Sequence, residues 1–216
     1  MRKREAELQT DAGKVLALEV GMTKHQQLIT LEEFAAMTQD DDWKEELLDG
    51  VIRRFPLPNA PHGVACARLA NVLGNYCHKS GFGQVSLGSG LVVSRNPDSV
   101  LGPDLQVFAT HRPPDTLDGW PSVPPVLIAE VVDGPEDYSH IMHKIPFYLR
   151  FGVDLIWIVV PGMVRVYRLT QLHQPFDEDQ WSRNHFGLDT IRRKGDELDG
   201  GDVLPGFSCK VSELFA

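Results

Sequence analysis

The chain has 216 residues, 42% hydrophobic and 24% charged, with a formal net charge of −9. That length is enough for one domain with a sizeable core, and the composition is that of an ordinary globular protein. The acidic balance argues against a protein that coats nucleic acid non-specifically, but it does not exclude a nuclease, because clustered carboxylates supply negative charge of their own.

No apolar run approaches the ~20 residues that a membrane helix needs. Met1 to Gly21 holds basic residues but no continuous apolar segment, so the reading is a cytoplasmic protein without a signal peptide. Residues 1–27 are charged and weakly periodic, an N-terminal extension in which Met22 offers an alternative start. Cys66, Cys77 and Cys209 make no disulfide framework and no metal-binding spacing.

The domain is expected over residues 28–216. Thr30 and Glu33 have the capping-box spacing for a short helix. Asp40 to Asp42 reads as a solvated loop ending it. Glu45 to Arg54 reads as a hairpin, because Asp49-Gly50 between apolar pairs suits a type I′ turn. Glu46 lies on its first arm and, taken alone, reads as a solvated strand carboxylate. From Gly63 to His78 apolar residues recur at helical spacing, with Gly81 as a stop. His62 precedes this helix, either as its cap or as a group within reach of a site. Gln84 to Ser94 reads as one or two strands, with Gly88-Ser89-Gly90 marking a bulge.

Leu105 to Phe108 and Val126 to Val132 are short apolar runs bounded by Pro and Gly, the pattern of buried strands. Between them lies a proline-rich loop. Each run carries a carboxylate that an apolar strand does not need: Asp104 opens the first and Glu130 interrupts the second. A buried charge costs several kcal/mol unless it is paired or metal-bound. Ser139 to Phe151 has a helical pattern but contains Pro146, so the regular helix either starts near Ile145 or is kinked there. Lys144, the only lysine between Lys79 and Lys194, sits at the start of that helix in this reading. Asp154 to Val160 is a buried strand and Met163 to Leu169 a half-exposed one. Residues 171–200 read as a long hairpin or loop, followed by a closing strand at Leu204 to Phe207 and a short terminal helix from Val211.

Asp104 and Glu130 at comparable ends of neighbouring strands suit a hard divalent cation such as Mg²⁺, with Lys144 offsetting charge at a phosphoryl centre. The bland alternatives are that Asp104 caps a turn, Glu130 pairs with an arginine such as Arg150, and Lys144 is exposed. His140 and His143 face together on a helix but lack a third ligand at a recognised spacing.

The order of elements resembles the Uma family of putative restriction endonucleases, within the PD-(D/E)XK nuclease superfamily. The residues that carry the resemblance are Ile29 to Phe34, the ELLDG of Glu46 to Gly50, His62-Gly63, Pro103-Asp104, Val126 to Val132, Lys144 to Tyr148 with Gly152, Trp157 to Val159, Val203 to Phe207 and Glu213 to Phe215. The resemblance implies an α/β restriction-endonuclease-like fold: a central mixed β-sheet flanked by helices, with an N-terminal hairpin and a C-terminal β-meander. It implies that Asp104, Glu130 and the main-chain carbonyl of Val131 are metal ligands and that Glu46 is an additional one. Lys144 looks like the superfamily lysine moved to the helix, because Val132 stands where an E-x-K triplet has lysine. Glu45 departs from the family's usual tyrosine, and Asp133-Gly134-Pro135 from its serine-proline turn.

The expected function is that of a DNA endonuclease dependent on Mg²⁺ or Mn²⁺, with Asp104, Glu130, Lys144 and Glu46 catalytic and a homodimer as the working form. Two alternatives stay open: a nuclease-derived module that binds nucleic acid or protein without turnover, and a hydrolase of small phosphodiesters. A basic groove around Asp104 favours duplex DNA, and a closed acidic pocket favours a small substrate.

Overall fold

A computed structural model describes residues 28–37, 43–169 and 188–215. The extension at 1–27, the acidic loop at Asp40 to Asp42 and the stretch 171–187 lie outside these residues. Helix α1 spans Leu31–Ala36, and its capping box is formed: Thr30 Oγ1 accepts from Glu33 N while the Glu33 carboxylate accepts from Thr30 N. Strands β1 (Trp43–Leu48) and β2 (Val51–Pro56) make the expected hairpin. Asp49 and Gly50 take φ of 49° and 74° at the turn, the positive values that a type I′ turn needs.

Helix α2 spans Ala60–Ser80 and starts earlier than its apolar periodicity suggests. Asn59, not His62, is the cap: its side chain accepts from His62 N. Gly81 closes the helix in the left-handed region at φ 67°. Strand β3 (Gly83–Leu87) and strand β4 (Leu91–Ser94) then join different sheets. Gly88 to Gly90 is therefore the crossing between sheets rather than a bulge within a strand. Strand β5 (Ser99–Leu101) pairs with β1 and β4, completing a four-stranded sheet in the order β2-β1-β5-β4.

Strands β6 (Leu105–Ala109), β7 (Leu127–Val131), β8 (Leu155–Val160), β9 (Met163–Arg168) and β10 (Leu188–Arg193) join β3 in the central sheet, ordered β10-β9-β8-β7-β6-β3. Among the described residues only the β7–β8 pair is parallel, so the sheet is mixed, and β8, β9 and β10 form a meander. The parallel pair needs a crossover, supplied by helix α3 (Pro135–Phe151). Strands β11 (Glu197–Gly200) and β12 (Leu204–Lys210) close the chain, followed by a 3-10 turn at Val211–Leu214.

Period-2 alternation decides what each face of the sheet meets. Leu127, Ala129 and Val131 pack with Ala65, Leu69 and Leu73 of α2. Ile128 and Val132 pack with Ile141, Ile145 and Tyr148 of α3. Glu130 shares this second parity, so the fold sends its carboxylate toward α3.

Helix α3 corrects the sequence reading. It starts at Pro135, well before Ile145, and runs through Pro146 to Gly152, whose φ is 98°. Its N-terminal proline is well tolerated, while Pro146 removes an interior backbone bond. Burial of Ile145, Tyr148 and Leu149 against the sheet offsets that loss. Lys144 consequently lies well inside the helix. Among the described residues no helix is long and apolar enough to cross a membrane.

Candidate active site

Four elements bring charged groups to one place. The register Leu105↔Ala129, continued by one residue, sets Asp104 beside Glu130 at the end of the β6–β7 ladder. Asp104 Oδ2 accepts from Val131 N at 2.8 Å and so ties the two strands together. It is not merely capping a turn. Glu46 reaches in from β1, where Gly102 N donates to its Oε1 at 2.9 Å. Lys144 arrives from α3, and its Nζ lies 3.0 Å from Glu46 Oε1 and 2.6 Å from Glu130 Oε1.

The cluster is deep. Glu46, Glu130 and Lys144 are 2%, 1% and 2% exposed, so Glu46 is no solvated strand carboxylate. Glu130 is not paired with Arg150; its partners are Lys144 and the Tyr148 hydroxyl, which donates to Oε1 at 2.6 Å. The main chain of Val131 lies beside Asp104 through the bond from its N–H. His140 and His143 do not act as a pair: His140 Nε2 lies 3.2 Å from Glu46 Oε2, whereas His143 Nδ1 meets its own helix at Ser139 O.

The sequence reading missed Lys44, Tyr148 and Phe55, set His140 aside, and left His62 undecided. Lys44 Nζ lies 3.4 Å from Asp104 Oδ1. His62 Nε2 lies 3.1 Å from Asp104 Oδ2, and its Nδ1 lies 3.6 Å from Cys66 Sγ. The rings of Phe55 and His140 stack with centroids 3.7 Å apart. Two signals were available. Lys44 and Glu46 are two apart on a strand and so share a face. His140, Lys144 and Tyr148 recur every four residues and so form one stripe on α3.

Charge sets the protonation states. Burial alone would raise Glu46, but Lys144, His140, Lys44 and the Gly102 N–H outweigh it and hold the carboxyl at about 2. Asp104 also stands at about 2: burial opposes, while His62, Lys44 and the Val131 N–H prevail. Glu130 goes the other way. Its burial, with Asp104 and Glu46 nearby, outweighs Lys144 and lifts it above the ordinary glutamate value. Lys144 is raised, since Glu130 and Glu46 overcome the burial that would lower it. Tyr148 is raised well above its ordinary value, chiefly by burial, and keeps the proton it donates.

The Asp104–His62 pair has a direct consequence. His62 is pushed up to about 10, first by its bond to Asp104 and then by Cys66. Its contribution to stability is therefore complete below the ordinary 6.5 and lost as pH rises through about 10. Asp104 contributes oppositely, above its ordinary 3.8, and that part is lost as pH falls toward about 2. In Asp104→Asn, an NMR titration of the imidazole is expected to return His62 toward 6.5. Retention of a value near 10 would assign the shift to Cys66 instead.

A cavity of about 660 Å³ opens over these groups. Its lining includes Phe55, Leu57 and Pro58 from β2 and the turn after it, and Pro135, His140 and Ile141 from α3. Arg54 lines the cavity and pairs with Glu45 at 2.6 Å, while Arg168 and Arg192 both turn to Asp199. Among the described residues, His62, Cys66 and Asp104 form the one trio whose ligand atoms all lie within 4.8 Å of one another. The carboxylates of Glu46, Asp104 and Glu130 stand further apart, with the Lys144 ammonium between Glu46 and Glu130.

The fold is similar to a crystal structure described as a putative nuclease belonging to DUF820 from Anabaena variabilis ATCC 29413. The TM-score is 0.65 at 18% identity, covering 87% of this chain and 97% of that one. A comparison with curated proteins finds no match. The family model Uma2, described as putative restriction endonuclease, matches residues 31–212. With that span covering most of its 216 residues, the chain belongs to the Uma2 family.

Proposed function

We propose that this chain is a divalent-metal-dependent endonuclease that hydrolyses DNA phosphodiesters, with Asp104, Glu130, Glu46 and Lys144 as its catalytic set. The observation that carries this reading is the convergence of these groups, from separate elements, on the floor of one cavity. Family membership supports the nuclease chemistry.

The residues fit a hard cation. Asp104, Glu130 and Glu46 bring carboxylate oxygens to the same cavity, the donor type that a hard cation takes. Asp104, Glu130, Glu46 and the Val131 carbonyl would hold Mg²⁺ or Mn²⁺, which supplies Lewis-acid stabilisation of the phosphoryl oxygen and a lower pKa for the attacking water. Lys144 keeps its proton and acts as a fixed positive charge toward the phosphate, held by Glu46 and Glu130. Tyr148 orients Glu130 through its hydroxyl, and His62 and Lys44 orient Asp104.

Supercoiled, linear and single-stranded DNA incubated over a range of Mg²⁺ and Mn²⁺ concentrations tests the reading. Strand scission that rises with the ion and stops in EDTA is expected. No turnover with any divalent ion, or scission that persists in EDTA, would remove it.

A further inference from the structure

We infer that the cavity over the cluster receives an unpaired nucleotide, with Phe55 as its stacking residue, so that the preferred DNA is single-stranded or locally unpaired. This rests on the nuclease reading above and names its substrate class. Glu46, Glu130 and Lys144 are 1–2% exposed, so a scissile phosphate must enter the cavity to reach them. The cavity is lined by Phe55, Leu57 and Pro58 from the end of β2 and the turn after it, and by Pro135, His140 and Ile141 from α3, with the Phe55 and His140 rings in contact.

Size points the same way. At about 660 Å³ the cavity lies within the ~300–1,000 Å³ range of pockets that enclose one small organic ligand. A duplex is far larger, its major groove alone being ~12 Å wide. A flexible single strand, or a nucleotide displaced from a duplex, can enter where a stacked helix cannot.

The chemistry of the walls agrees. Duplex binding depends on cations spread along the phosphates. Here Arg54 is paired with Glu45, and Arg168 and Arg192 are turned to Asp199, in a chain of net charge −9. Proteins that hold single strands add aromatic faces on which the bases stack. Phe55 and His140 already stack, 29° from parallel, and His140 is fixed from behind by Glu46. A base entering the cavity extends that stack. Leu57, 57% exposed, lies at the same rim and supplies further apolar contact.

The test places 2-aminopurine in a single strand, in an intact duplex, and as one unpaired base in a duplex. Each is titrated with the full chain, with Ca²⁺ in place of Mg²⁺. Quenching of the fluorophore is expected with the single strand and the unpaired base, and at least tenfold weaker binding with the intact duplex. Phe55→Ala should lose the quench and weaken single-strand binding by about tenfold, the order expected for one lost base–aromatic stack. Phe55→Trp should restore both, which separates stacking from a folding defect. Intact duplex binding as tightly as the single strand, or Phe55→Ala leaving affinity and quench unchanged, would overturn the inference. Tight, quenched binding without cleavage in Mg²⁺ would leave the cavity inference standing and remove the nuclease reading. Preferential cleavage of intact duplex would do the reverse.

Discussion

Glu130→Ala is expected to reduce divalent-dependent DNA cleavage by at least ~10²–10³-fold, the order seen when one preorganised charge-stabilising group is removed, while the fold persists. The carboxylate is the point where strand β7 meets both Asp104 and Lys144, so no neighbour can take its place. The fold should survive because Glu130 is itself a costly group. It is 1% exposed, and burial with Asp104 and Glu46 nearby lifts its pKa. Deleting it removes that penalty, leaves Lys144 paired with Glu46 at 3.0 Å, and strands the Tyr148 hydroxyl. One unsatisfied buried hydroxyl costs ~1–3 kcal/mol, which circular dichroism and thermal melting will resolve from global unfolding. Glu130→Gln sharpens the test, since it keeps the shape and an acceptor for Tyr148 but not the charge. Loss of cleavage in both variants fits a cation ligand. Full activity in Glu130→Gln would make the residue a packing group, and unchanged cleavage in Glu130→Ala would rule out the site.

What the sequence revealed and what it hid divide along physical lines. Local chemistry was legible. The Thr30–Glu33 capping box, the Asp49-Gly50 turn and the glycine stops at Gly81 and Gly152 all depend on neighbours in the chain, and all formed. The out-of-place carboxylates Asp104 and Glu130 were visible because a charge inside an apolar run is conspicuous. Long-range pairing was not legible. Glu46 looked solvated because its strand carries neighbouring polar residues, and only the approach of α3 buries it. The start of helix α3 was left open because Pro146 opposes a helix locally, while the packing that outweighs it comes from strands distant in sequence. His62 was hidden for a similar reason. Its position before the α2 periodicity resembled a cap, yet Asn59 takes that role and frees the imidazole to face Asp104.

Lys144→Met is expected to destabilise the chain by ~3–5 kcal/mol near neutral pH, the cost of breaking a buried ion pair by removing one partner. Methionine retains most of the stem, so packing along α3 changes little and the loss reports the charge. The ammonium lies between Glu46 and Glu130, and without it two carboxylates of 2% and 1% exposure face each other. The pH dependence identifies the cause. Glu130 is already above the ordinary 4.5, and losing Lys144 raises it further. A raised carboxyl favours the fold fully below its ordinary value, and that contribution is lost as pH rises through the folded value. The deficit of Lys144→Met relative to the unmodified chain should therefore grow as pH rises above the ordinary 4.5, read by denaturant titration at each pH. Lys144→Arg, which keeps the charge, should show a smaller and flatter deficit. Added Mg²⁺ should narrow the gap, because the variant lacks the ammonium beside Glu46 and Glu130 and binds the cation more tightly, and the tighter ligand stabilises the folded form more. A deficit below ~1 kcal/mol, or one that does not vary with pH, would mean that Lys144 is held by packing. The charge balance in the cavity would then have to come from Lys44 and His62, which reach the neighbouring Asp104 from β1 and α2.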